Sequence, residues 1–228
     1  MESILKAINI RKSFGKLLVI EDISLEIKKG ESVVLFGPSG CGKTTFLRIV
    51  SGILKPTSGK LETNYTKLGF VFQEDRLIPW LTVEGNLRFV SEDEELLDNV
   101  LSAVRLEDFK RYYPSELSGG MKKRVNIARA LMVRPDFLIL DEPFSSLDYH
   151  IKIKLIRDFL GLKKSFSVSV LAVTHDPKEA ALLGNRIIFL SCPSKVFHEI
   201  IVDSPENAEK EILNILESSC PYSCRSCL

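Results

Sequence analysis

An α/β fold built on a mainly parallel sheet is what the sequence predicts, and three observations predict it. Short apolar runs alternate with helix-periodic stretches, the order that βαβ units require. The runs themselves, such as Ser32 to Phe36 and Phe137 to Leu140, are apolar throughout, which suits strands covered on both faces. The chain has 228 residues, 45% hydrophobic and 27% charged. That is enough for one large domain, alone or with a short appendage, and the balance excludes a disordered chain, a collagen or a coiled coil over the whole length.

Taken in order, Ile4 to Ile10 and Leu17 to Ile27 read as strands, and Lys28-Lys29-Gly30-Glu31 as a turn before the buried strand Ser32 to Phe36. An uninterrupted helix pattern then runs to Gly52, and Lys67 to Phe72 returns to strand. From Pro79 to Met132 the pattern is helical. Ser91 followed by Glu94 reads as a capping box, and Leu97, Val100, Leu101 and Val104 recur at helical spacing. A further helix, Met121 to Met132, has Ser118 as its expected N-cap. Strands follow at Phe137 to Leu140, Val168 to Val173 and Arg186 to Leu190. Between the last two, Asp176-Pro177-Lys178-Glu179 supplies an N-cap, a proline at the first helical position and a glutamate at N3, with Gly184 as the stop. After Asp203 the chain turns acidic and polar and then cysteine-bearing, so residues 203–228 are expected to form a flexible appendage.

Composition excludes several function classes. Lys+Arg number 31 against 30 Asp+Glu, a net charge of +1, so no global charge favours long nucleic acid or a membrane surface, and no nucleic-acid partner is expected. No apolar run approaches the roughly 18 residues a membrane span needs. Glu2 and Lys6 interrupt any secretory h-region, which makes the cytoplasm the expected compartment. Five cysteines are too few for a disulfide-framed fold of this length, and Cys220, Cys224 and Cys227 crowd the last residues. Their C-x3-C-x2-C spacing occurs in iron–sulfur ligation, but with no local fourth ligand they read as free thiols on a tail.

The chemistry begins at Gly37-Pro38-Ser39-Gly40-Cys41-Gly42-Lys43-Thr44, which matches the phosphate-binding pattern G-x-x-x-x-G-K-[ST] between a strand and a helix. Glycines let the backbone curl until several N–H groups face one centre, and the helix adds its positive end. Lys43 supplies a point charge and Thr44 a hydroxyl for Mg²⁺. Cys41 lies at a helix start beside Lys43, a setting that favours the thiolate and marks it as the expected sensitive thiol. Phe137 to Leu140 leads into Asp141 and Glu142 at a strand's carboxyl end, where Asp141 can hold the Mg²⁺ hydration shell and Glu142 can orient or deprotonate a water. Leu117-Ser118-Gly119-Gly120-Met121 opens a helix with exposed N–H groups and is a second anion site. One nucleotide does not need two such sites in one chain. They make sense if two copies pair head to tail, each closing the other's nucleotide site.

At these residues the chain resembles the ATP-binding cassette (ABC) ATPase family, over about Ile4 to Val202. Gly37 to Thr45 is similar to its Walker A, Gln73 to its Q-loop, Leu117 to Met121 to its signature, Asp141 and Glu142 to its Walker B, Ser145-Ser146-Leu147-Asp148 to its D-loop and His175 to its switch histidine, all in family order. Phe14 occupies the position of its adenine-stacking aromatic. The resemblance implies a RecA-like P-loop NTPase core with an antiparallel β-subdomain and an inserted helical subdomain, here about 76–132 within a domain 1–202. It implies two ATP molecules sandwiched in a homodimer. On it, Glu142, His175, Gln73 and Lys43 are the expected catalytic residues; Thr44, Gln73 and Asp141 the Mg²⁺ ligands; and Phe14, residues 37–45, Ser118, Gly119, Gly120 and Asp148 the nucleotide contacts. His150 and His198 have no such setting.

The stretch Phe72 to Val83, with Leu-Ile-Pro-Trp-Leu-Thr-Val at its end, resembles the Q-loop of the importer branch serving nitrate, sulfonate, taurine and related small anions. Gly85 and Lys123 replace residues more usual in that family, and the stretch between Gln73 and Ser118 is short. The implied protein is an ATPase subunit on the inner face of the membrane. It would drive a separate permease docked near Gln73 to Leu87, with Trp80 as an anchor, and would serve a solute-binding protein indirectly. A non-transport ABC ATPase acting on nucleic acid or the ribosome is the alternative, and Leu117 to Met121 argues against a P-loop kinase.

Overall fold

A computed structural model describes residues 2–145 and 147–218. In chain order they form β1 (Ser3–Phe14), β2 (Leu17–Lys28), β3 (Ser32–Phe36), α1 (Lys43–Val50), β4 (Ser58–Thr63), β5 (Leu68–Val71), α2 (Val83–Arg88), α3 (Glu94–Ala103), α4 (Gly119–Leu131), β6 (Phe137–Asp141), α5 (Tyr149–Phe166), β7 (Ser169–Thr174), α6 (Pro177–Leu183), β8 (Arg186–Leu190), β9 (Ser194–Ile201) and α7 (Pro205–Ser218). The chain divides into two compact units, residues 1–65 with 169–228, and residues 66–168. Cys220, Cys224 and Cys227 lie outside the described residues.

In the first unit the strands run in the order β4-β1-β2-β9-β8-β3-β7. β1 pairs antiparallel with β2 and with β4, β9 joins β2 in parallel and β8 antiparallel, and β8, β3 and β7 are parallel to one another. Burial follows that arrangement. Every residue of β3 and β7 is buried, as strands covered on both faces must be, whereas β2 alternates buried and exposed positions along its second half. β4 was not legible in the sequence, because its residues Ser-Gly-Lys-Leu-Glu-Thr are almost all exposed and an edge strand with no buried face carries no hydrophobic pattern.

The appendage expected from residue 203 onward begins instead as α7, which packs on α6. Its anchors are Ala208 and Ile212, one helical turn apart and both buried, and Ile215 and Leu216, about one turn further on, are half-buried. Burying one isoleucine contributes about 1.5–3 kcal/mol, and Ala208, Ile212, Ile215 and Leu216 keep the helical spacing that the acidic, polar composition of the segment masked.

In the second unit β5 and β6 pair in parallel. Asp136, just before β6, accepts from the Thr66 and Lys67 backbone N–H groups and the Thr66 hydroxyl at 2.8–3.0 Å, fixing the start of β5. Burial pushes that carboxyl's pKa up, but the hydrogen bonds outweigh it and hold the group below its usual value. Helix α3 corrects the expected capping box: its N-cap is Asp93, whose carboxylate accepts from Leu96 N at 3.0 Å, while the Ser91 hydroxyl accepts from Asp93 N. Aspartate caps as well as serine does, and here its second oxygen also meets Arg134 at 2.6 Å. Ser118 does cap α4, accepting from Met121 N at 3.3 Å. Helix α5, not foreseen, buries Leu155, Ile156, Phe159 and Leu162 along one face.

Candidate functional site

The first unit builds a phosphate cradle. After β3 ends at Phe36 the chain curls through Gly40 (φ 77°) and Gly42 (φ 110°), and Gly42 is the N-cap of α1. Only glycine enters that region freely. At Gly42 space forbids a side chain as well, since a Cβ would lie 2.9 Å from Ser194 Oγ, Val19 Cγ1 and Val19 O. Lys43 is buried and donates to the carbonyls of Gly37 at 2.8 Å and Pro38 at 2.7 Å, so its ammonium sits inside the curl. Ser39 and Gly40 are exposed, Pro38, Thr44 and Thr45 half-buried. From β9 the Ser194 hydroxyl donates to Cys41 O, bracing the loop from a residue that sequence reasoning had no means to find.

Cys41 is 1% exposed. The expected sensitive thiol is therefore shielded by the fold, whatever its electrostatic setting, because alkylation needs access as well as thiolate. Treated with maleimide, the folded chain is expected to leave the Cys41 peptide unmodified while unfolded chain labels fully. Rapid labelling of Cys41 in folded protein, read by peptide mapping, would show that the loop opens.

Phe14 ends β1 and is 49% exposed, with the Lys12 ammonium 5.0 Å from its ring centroid. Lys12 is itself anchored on Lys55 O at 2.8 Å. His175 follows β7 and is exposed. The turn that carries it is held by Thr174, whose hydroxyl donates to the buried Glu179 carboxylate at 2.6 Å and accepts from Asp176 N at 3.1 Å. Asp176 caps α6 as expected, accepting from Lys178 N and Glu179 N.

In the second unit Asp141 is buried at the end of β6, and Glu142 follows it with φ 46°. A non-glycine residue pays roughly 1–2 kcal/mol for that conformation, which the sequence does not announce. Gln73 and Glu142 are brought together, the Gln73 Nε2 donating to Glu142 Oε2 at 3.4 Å. Ser118 and Gly119 are exposed at the start of α4 and Gly120 half-buried. Asp148 is the exposed N-cap of α5. Ser146 of the expected D-loop lies outside the described residues. The Thr44 hydroxyl, the Gln73 amide oxygen and the Asp141 carboxylate are hard oxygen donors, the kind Mg²⁺ takes.

Two groups of residues were missed. Along α4, Lys123, Asn126 and Arg129 reach the backbone of residues 72–76. Asn86, fully buried, knits the loop before α2 by accepting from Ile78 N at 2.8 Å and donating to Ile78 O, Leu81 O and Thr82 O at 3.0–3.1 Å. A polar residue at a helix position gives no sign in sequence of a buried role. The loop so fixed presents Trp80 outward, 76% exposed.

A family model described as ABC transporter matches residues 20–145. The chain is 43% identical over 196 residues to the aliphatic sulfonates import ATP-binding protein SsuB 2 of Pseudomonas syringae pv. tomato, covering 84% of each chain. It is 39% identical over 202 residues to SsuB of Bacillus cereus, covering 83% of this chain and 80% of that one. Among solved structures, the dimeric post-hydrolysis state of the ATP-binding cassette MJ0796 with ADP and Pi superposes with TM-score 0.76 at 32% identity, over 88% of this chain and 99% of the other. CbiO1 of Clostridium perfringens, part of the ABC transporter complex cbiONQ, gives TM-score 0.82 at 25% identity, over 97% of both chains.

Proposed function

The chain belongs to the ABC transporter family of ATP-binding subunits, and from that premise we propose that it drives sulfonate import as a head-to-tail homodimer on a separate membrane permease. It binds and hydrolyses ATP, as the family does, and its fold is the RecA-like cassette of those neighbours. Within it we assign residues 1–202 to the ATPase domain, with 76–132 as its helical insertion. Among the described residues no helix is long and apolar enough to cross a membrane, and in this reading a separate polypeptide, the permease, forms the path for the solute. The inner membrane face, where ATP is available, is the place this assigns to the chain. A solute-binding protein would deliver the sulfonate to the permease.

On the family's pattern, Phe14 would stack on adenine, the N–H groups of residues 37–45 and the Lys43 ammonium would hold the β- and γ-phosphates, and Thr44, Gln73 and Asp141 would hold Mg²⁺. Bound there, the ion would neutralise charge developing on the phosphate oxygens. Glu142 takes the proton of a water as its oxygen attacks the γ-phosphorus. The bond to the β-phosphate oxygen breaks, ADP leaves with the electron pair, and His175 steadies the transferred phosphoryl group. Ser118, Gly119, Gly120 and Asp148 of a second copy complete the enclosure.

The observation that carries the importer reading is the loop from Ile78 to Thr82, held by buried Asn86 so that Trp80 stands out from the surface. A core role would have buried this tryptophan. Exposed and backed by a rigid loop, it has the properties of an interface anchor, and Phe89, at 73% exposure, adds apolar surface in the same helical region.

A strain lacking the chain is expected to lose growth on an aliphatic sulfonate as sole sulfur source and to keep growth on sulfate. Trp80→Ala should keep its melting temperature and basal ATPase yet fail to restore growth or to co-purify with the permease. Unchanged growth of the deletion strain on sulfonates overturns the solute. Full complementation by Trp80→Ala removes the anchor and leaves the ATPase standing.

A further inference from the structure

Helix α4 carries side-chain donors at Lys123, Asn126 and Arg129, three residues apart and hence on one stripe of its surface. Each reaches a carbonyl of the segment that follows β5. Lys123 Nζ donates to Gln73 O at 2.5 Å, Asn126 Nδ2 to Phe72 O at 3.2 Å, and Arg129 to Arg76 O at 2.7 Å and Asp75 O at 3.4 Å. Lys123 is only 7% exposed, and its ammonium also pairs with the Asp75 carboxylate at 3.2 Å. A buried ammonium persists only where it is paired and hydrogen-bonded, so these two partners fix both the lysine and the turn it grips. That turn is already constrained. Arg76 has φ 44°, and its guanidinium lies 4.4 Å from the Phe72 ring centroid. From the same turn the Gln73 side chain reaches Glu142.

We propose that Lys123 is a positioning residue for hydrolysis: by holding the Gln73 carbonyl and the Asp75 carboxylate it fixes the backbone from which Gln73 contacts Glu142. This rests on Glu142 being the base and adds the residue that sets its surroundings. The same helix begins at Ser118, so the grip ties the signature segment and the Gln73 turn to one rigid element. Lysine here is one of the departures from family usage visible in the sequence, and a shorter or uncharged side chain could not form the same ion pair to Asp75.

The test is Lys123→Met, which keeps the stem and removes the charge and the donors, with Lys123→Arg as the conservative replacement. Turnover by Lys123→Met is expected to fall about 10- to 100-fold, the upper end being what a misplacement of about 1 Å can cost, with KM for ATP and affinity for a non-hydrolysable ATP analogue unchanged. Lys123→Arg should recover most of the turnover. In a Gln73→Ala background Lys123→Met should cost nothing further, because the two act through one contact. A lowered melting temperature with unchanged turnover, or losses that add in the double variant, overturns the positioning role. Should Lys123→Met not fold, Asp75→Asn loosens the same ammonium from a more exposed position: a drop in turnover at constant KM supports the role, and unchanged turnover overturns it. Glu142→Gln assayed alongside separates the two readings. If it retains turnover, the base assignment falls; if it loses turnover while Lys123→Met does not, only the positioning role falls.

Discussion

Glu142→Gln is expected to bind ATP, to hydrolyse it about 10² to 10⁴ times more slowly, and to accumulate as a nucleotide-bridged dimer. The substitution keeps the shape of a half-buried side chain and its unusual backbone, so the φ of 46° and its cost carry over unchanged. A glutamine oxygen can still accept from Gln73 Nε2, which preserves that contact. What disappears is the proton acceptor. At about 1.4 kcal/mol per decade the loss corresponds to roughly 3–5 kcal/mol of barrier. Phosphate release under saturating MgATP measures it, and light scattering follows the dimer. Near-normal turnover by a folded Glu142→Gln would remove this carboxylate from the chemistry.

The second large effect is expected from Ser118→Arg, which should abolish ATP-driven dimer closure and with it nearly all hydrolysis, while mononucleotide binding persists. Ser118 is exposed, so an arginine meets no core, but it also caps α4 through Met121 N. Losing that cap costs about 0.5–2 kcal/mol, a stability change that a melting curve reports apart from closure. Lys43→Ala fails differently. It removes the ammonium from between the Gly37 and Pro38 carbonyls and should eliminate phosphate binding itself. Mixed, the two dead variants form heterodimers in which one site draws an intact Lys43 from one copy and an intact Ser118 from the other. Activity well above that of either variant alone is the expected result. Verified heterodimers with no such recovery would defeat the head-to-tail arrangement.

Local motifs were legible because each is self-contained. The phosphate loop needs only its glycines, its lysine and the strand and helix on either side. Gly40 and Gly42 sit at φ 77° and 110°, in the conformation their identity implied. Asp176 caps α6 because a carboxylate, a proline and the next N–H groups lie within four residues. The strands Ser32 to Phe36, Phe137 to Leu140 and Arg186 to Leu190 were visible because buried parallel strands leave continuous apolar runs.

Where a residue's environment comes from distant sequence, the reading failed or was silent. Ser91 and Asp93 are equally good caps by chemistry, and only the path of the chain into α3 chose the aspartate. Cys41 looked reactive from its neighbours but is covered in the fold, with Ser194 donating to its carbonyl from 153 residues away. Ile212 became an anchor only because α6 lies beneath α7. Lys123 stood out in the sequence only as a departure from family usage, and its role appears once α4 is set against the turn after Gln73, where its charge finds a carbonyl and a carboxylate. The sequence by itself determined the α/β architecture and the nucleotide chemistry, since both follow from interactions within a few residues. Tertiary structure decided which side chains are shielded, which turns are gripped and that Trp80 faces outward, because burial and long-range hydrogen bonds depend on what the rest of the chain brings alongside.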